Sequence, residues 1–100
     1  MKTLVLELDF SFVKGEAPDL KKVWEDFLIG GCRSAYKDGL DLKMQSRLLN
    51  IISKLDKANG TLELEDAEFD VLKDINERGK FDPSYCRVGS QISAKIEGVK

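Results

Sequence analysis

The chain has 100 residues, a mass of 11.2 kDa and a formal charge of −2 from 16 basic and 18 acidic side chains. That length suits one domain, residues 1–100, with a small hydrophobic core and no need of disulfides or metal to fold. Histidine is absent, which removes the commonest general base, pH switch and metal ligand, and the balanced charge demands neither nucleic acid nor a membrane as partner.

From Thr3 to Val13 apolar and polar residues alternate: Leu4, Leu6, Leu8, Phe10 and Phe12 on one face, Thr3, Glu7, Asp9 and Ser11 on the other. This period predicts a long, half-buried N-terminal strand. Gly15 and Pro18-Asp19 break it and open a helix whose buried stripe is Leu20, Val23, Trp24, Phe27 and Leu28, ending at Gly30-Gly31. Cys32 to Gly39 has no period and reads as a loop.

A second helix, from about Asp41 to Ala58, carries Met44, Leu48, Ile51, Ile52 and Leu55, with Leu49 broadening the stripe and Asn59-Gly60 as C-cap. Thr61 to Glu65 alternates again and reads as a short strand, partner to the first. Asp66 is placed to cap a third helix, Ala67 to Arg78, with Phe69, Leu72 and Ile75 buried. Phe81-Asp82-Pro83 is a helix start, and Tyr85, Val88, Ile92 and Ile96 fit a helical stripe. Gly89 opposes that, and Ile92, Ala94 and Ile96 also fit strand alternation, so residues 83–97 are left as helix or strand. The expected architecture is α+β: the long N-terminal strand paired with the short central strand and packed against three or four helices.

No motif here specifies catalysis. Leu55 to Asp66 resembles a calcium-binding EF-hand loop around Asn59-Gly60, but Leu55 and Lys57 stand where oxygen ligands are required. Gly30-Gly31-Cys32-Arg33 follows a helix C-terminus, whose dipole has the wrong sign for an anion site. Cys32 and Cys86 form no metal-binding spacing; they read as reduced thiols, though a long-range disulfide is left open. The expectation is therefore a non-enzyme without cofactor or metal. An alternating rather than continuous apolar start is no signal peptide, and no apolar run nears the length of a membrane span, so a cytoplasmic protein or a virion component is expected.

Charge, by contrast, is polarised. Glu63 to Glu77 holds seven acids against one base, and Arg78 to Lys100 holds five bases against two acids. Three candidate surfaces follow. The N-terminal strand outruns its partner, so the edge at Val5, Glu7 and Asp9 invites pairing with a second copy or another protein. The outer side of the third helix, Glu68, Asp70, Asp74 and Glu77, offers an acidic face to a basic partner, where its plainest role is solvation. Arg78, Lys80, Arg87 and Lys95, beside Phe81 and Tyr85, have the composition of a nucleic-acid contact. Trp24 and Phe27 read as core before interface anchors.

Leu48-Leu49-Asn50-Ile51-Ile52-Ser53-Lys54-Leu55, followed by Asn59-Gly60-Thr61-Leu62-Glu63-Leu64-Glu65-Asp66-Ala67-Glu68-Phe69, resembles small uncharacterised proteins encoded by tailed bacteriophages and prophages. The resemblance implies a virion or assembly component, or an accessory protein acting on a host protein, and assigns no functional residue. The sequence thus points to a protein-interaction or assembly module, a homo-oligomer or a binder of a host or virion protein, with a nucleic-acid-associated regulator as the alternative.

Overall fold

The computed structural model describes residues 1–99. In chain order it contains β1 (Lys2–Val5), α1 (Leu20–Ala35), α2 (Leu42–Lys57), β2 (Thr61–Leu64), α3 (Asp66–Arg78), a 3-10 turn (Pro83–Tyr85) and α4 (Cys86–Glu97). β1 and β2 form a two-stranded antiparallel sheet in which Lys2 faces Leu64 and Val5 faces Thr61. Leu4, Leu62 and Leu64 turn into the core, where α3 packs against α1, α2 and α4. The fold is α+β, as the alternating and helical periods predict.

The first strand is much shorter than the expected Thr3–Val13. Pairing stops because β2 has only four residues, and Gly60, at φ +85°, turns the partner chain away after one further bond, from Leu6 N–H to Gly60 O at 3.0 Å. Alternating burial nevertheless runs on, with Leu6 and Leu8 buried and Glu7 exposed. Side chains replace the missing ladder. Trp24 Nε1–H donates to Leu6 O at 2.8 Å, and the Gln91 amide accepts from Asp9 N–H at 2.6 Å while donating to Asp9 O at 2.8 Å.

α1 starts at Asp19, whose carboxylate accepts from Lys21 N–H, and runs through Gly30-Gly31 to Ala35 instead of stopping there. Gly31 is a packing residue: a Cβ there would lie 2.2 Å from Ile75 Cγ2, so α3 approaches α1 where a side chain is missing. Cys32–Ala35, expected in a loop, is consequently helical. Trp24, Phe27, Phe81 and Tyr85 form a ladder, with ring centroids 6.2 Å apart in the first pair, then 5.5 Å and 5.1 Å. The first two rings are core, as read from their spacing.

α2 is capped by Asp41, which accepts from Met44 N–H at 2.8 Å. It buries Ile51 and Leu55, but Leu49 does not broaden the stripe: it is 62% exposed, and Leu42 is 81% exposed. The cap of α3 is Glu65, not Asp66; Glu68 Oε1 reaches back to accept from Glu65 N–H at 2.9 Å. Residues 83–97 are helical throughout, as a 3-10 turn and α4. Gly89 is tolerated because the Tyr85 ring lies across it, where a Cβ would sit 3.2 Å from Cδ1. Cys32 is buried, Cys86 is exposed, and both are free thiols.

Candidate functional site

The three surfaces expected from the sequence are redistributed by the fold. Of the acidic residues on α3, Glu68 does not face outward. It is 7% exposed and receives the Lys54 ammonium at 2.5 Å. Burial by itself raises the Glu68 carboxyl, but the hydrogen bonds from Lys54 and from Glu65 N–H outweigh it and hold the group below its ordinary value. The signal was in the spacing: Glu68 precedes Leu72 and Ile75 by one and two turns, which places it on the buried stripe.

Asp74 is also engaged. The Tyr36 hydroxyl donates to it, and Arg78 Nη1 reaches it at 2.9 Å. Arg78 Nη2 donates to Ala35 O at 2.6 Å, at the C-terminal end of α1, and its guanidinium stacks 5.0 Å from the Tyr36 ring centre. Burial and the Asp74 carboxylate push the Tyr36 hydroxyl up to about 12. Tyr36, Asp74 and Arg78 thus form a latch between the α1–α2 connection and α3.

Asp70 and Glu77 remain outward, with Asp66 on the same exposed stripe. They border an open groove of about 570 Å3 between α3 and the end of α4, where Glu97 joins them. Among the described residues Lys2 and Lys73 are the bases on its wall, and Phe69, Ile96 and Val99 supply its apolar part. Glu65, next in sequence to Asp66, is exposed as well, whereas Glu63 lines a separate depression with Lys54 and Lys57 of α2. The groove therefore combines net negative charge with an apolar lining, a combination suited to a basic amphipathic surface.

The basic residues do not form one face. Arg78 belongs to the latch, and the Arg87 guanidinium lies 5.5 Å from the Phe12 ring centre. Lys80 N–H donates to Ser34 Oγ at 2.8 Å, which places this residue beside Arg78 at the end of α1, whereas Lys95 stands in the last turn of α4. Phe81 and Tyr85, the aromatic pair expected beside these bases, are stacked on Phe27 and on each other and only partly exposed.

On β1 Val5 is 45% exposed, and beyond the strand Glu7 is exposed and Asp9 is exposed with its backbone groups closed by Gln91. Sequence reasoning missed Lys54, Gln91 and Leu42 and set Leu49 on the buried stripe, because their positions relative to the core are defined only by the packing. Among the described residues no three His, Cys, Asp or Glu side chains group to hold a metal ion, the loop around Gly60 included, and no helix is long and apolar enough to cross a membrane. Comparison with known proteins gave no match to a family model, a curated protein or a solved structure.

Proposed function

We propose that this protein is a non-enzymatic protein-interaction or assembly module that receives a basic, partly apolar surface of its partner in the groove between α3 and α4. The observation that carries this reading is the groove itself, with Asp66, Asp70, Glu77 and Glu97 around Phe69, Ile96 and Val99. Carboxylates at the rim steer a basic partner at long range, and the apolar lining supplies short-range attraction. Resemblance to phage-encoded proteins gives the context: a virion or assembly component, or an accessory protein acting on a host protein in the cytoplasm.

The test uses a lysine-rich amphipathic helical peptide as probe, titrated at two ionic strengths against three proteins: wild type, Asp70→Lys with Glu77→Lys, and Glu16→Lys with Asp38→Lys. Both double variants change net charge equally, but the second pair is exposed and lies outside the groove. Wild type and the second variant should bind with salt-dependent affinity, and the first should lose binding. Equal loss in both variants would reduce the effect to net charge and refute the reading.

A further inference from the structure

The sheet has a second surface, distinct from the α3–α4 groove, at the free edge of β1. In an antiparallel ladder, alternate residues direct both backbone groups to the neighbouring strand, and the residues between direct theirs away. The Leu6 N–H bond to Gly60 O, in the same register as the Leu4 and Leu62 pair, assigns the even residues of β1 to β2. Thr3 and Val5, and Glu7 just beyond the strand, therefore present N–H and C=O to the opposite side. No hydrogen bond among the described residues reaches those groups outside the β1–β2 ladder, and all three side chains are exposed. At Asp9 the edge closes, because Gln91 of α4 takes both of its groups. One turn further along α4 stands Lys95, which has no acceptor and cannot repeat that cover.

We propose that Thr3, Val5 and Glu7 form the contact edge of a symmetric dimer, in which β1 pairs antiparallel with β1 of a second copy and Val5 lies on the twofold axis. This register follows from the edge's own limits. With Val5 opposite Val5 of the second copy, Thr3 falls opposite Glu7 and Glu7 opposite Thr3, so every open group between Thr3 and Glu7 gains a partner. An axis at Glu7 would set two carboxylates against each other and bring Asp9, already closed, opposite Val5. An axis at Leu4 would set Glu7 opposite Met1, outside the ladder, and one at Leu6 would set Thr3 opposite Asp9, already closed by Gln91. In the chosen register Val5, among the few exposed large apolar residues, is covered by its own symmetry mate, and no like charges meet. The product is a four-stranded sheet with β2 at both edges.

The experiment is sedimentation velocity of the full chain over a wide concentration series, with circular dichroism as the folding control. Wild type should show a reversible monomer–dimer equilibrium. Val5→Pro removes an N–H that points away from β2, so the fold should survive while the dimer is lost. Thr3→Lys, opposite Glu7 in both symmetry-related pairs, should tighten the dimer about two- to thirty-fold, and Thr3→Glu should weaken it by a similar factor. Adding Glu7→Lys to Thr3→Glu should restore it. A chain that stays monomeric at every concentration, or a dimer indifferent to both Thr3 substitutions, overturns the proposal. Neither result touches the α3 groove, whose own titration with the basic peptide decides the broader reading.

Discussion

Replacing Gly30 and Gly31 by alanine, one at a time, should move stability in opposite directions although the two are neighbours in one helix. Alanine removes a helix penalty of about 1 kcal/mol at either position. At Gly30 the new methyl meets only Phe81 Cε1, at 3.8 Å, so the gain stands and the melting temperature should rise by about 4–8 °C for a chain of this size. At Gly31 the same methyl would lie 2.2 Å from Ile75 Cγ2 and 3.2 Å from Phe81 Cζ. Carbon atoms rest about 3.5–4.0 Å apart, so α1 and α3 must separate or Ile75 must abandon its rotamer. Ile75 is fully buried, which leaves it no room to do so freely. Overpacking of this kind costs about 1–3 kcal/mol or more, and after the helix gain a net loss of up to about 2 kcal/mol remains. Adding Ile75→Leu, which lacks the γ2 methyl, should recover part of that loss. Urea and thermal unfolding of the two single variants and the Gly31→Ala, Ile75→Leu pair measure these differences. A Gly31→Ala protein as stable as Gly30→Ala would refute the reading of Gly31 as the packing contact between α1 and α3.

Three further outcomes are expected. Tyr85→Phe should leave stability unchanged or raise it by about 1 kcal/mol in urea unfolding, because the hydroxyl it removes is buried without a hydrogen-bond partner among the described residues. Glu68→Gln should cost about 1–2 kcal/mol at neutral pH, the smaller end reflecting the partly exposed Lys54 ammonium. The Glu68 carboxyl is held below its ordinary value, so its contribution is complete above the usual carboxylate range and lost as pH falls through the folded value; urea titrations of both proteins should converge in acid. Burial, with Asp74 nearby, pushes the Cys32 thiol up to about 11, and burial with Asp26 pushes the Tyr85 hydroxyl up to about 12. Both groups favour the fold while protonated, so stability should be steady below about pH 9 and fall as pH rises through those values, and at pH 8 a thiol reagent should modify Cys86 promptly and Cys32 only on unfolding.

The period of the apolar residues alone places three helices and two strands and leaves residues 83–97 as helix or strand, because burial on one face imposes 3.6- or 2-residue repeats wherever an element meets the core. It finds the starts of α1 and α2 at Asp19 and Asp41 for a second local reason: a carboxylate satisfies the free N–H groups of the first turn at those positions. Fold class and most of the core are therefore local properties of the chain. Side-chain alternation from Leu4 to Leu8 is equally legible, but strand length is not, since a hydrogen-bonded ladder needs a partner and β2 is four residues long. For the same reason the sequence marks Val5 and Glu7 as outward, while only the register with β2 decides which backbone groups stay open.

Where two elements meet, tertiary structure overrides local preference. Gly30-Gly31 reads as a helix end, yet α1 continues because a close approach by Ile75 requires the missing side chain at Gly31. Glu68 reads as one more surface acid until Lys54, from α2, supplies the charge and hydrogen bond that permit its burial. Asp74 and Arg78 read as opposite ends of a dipolar surface, whereas Tyr36 and the end of α1 draw both into one latch. Charge along a sequence records which side chains are ionised; which of them are left to meet a partner is set by the distances between elements, and those exist only once the chain has packed.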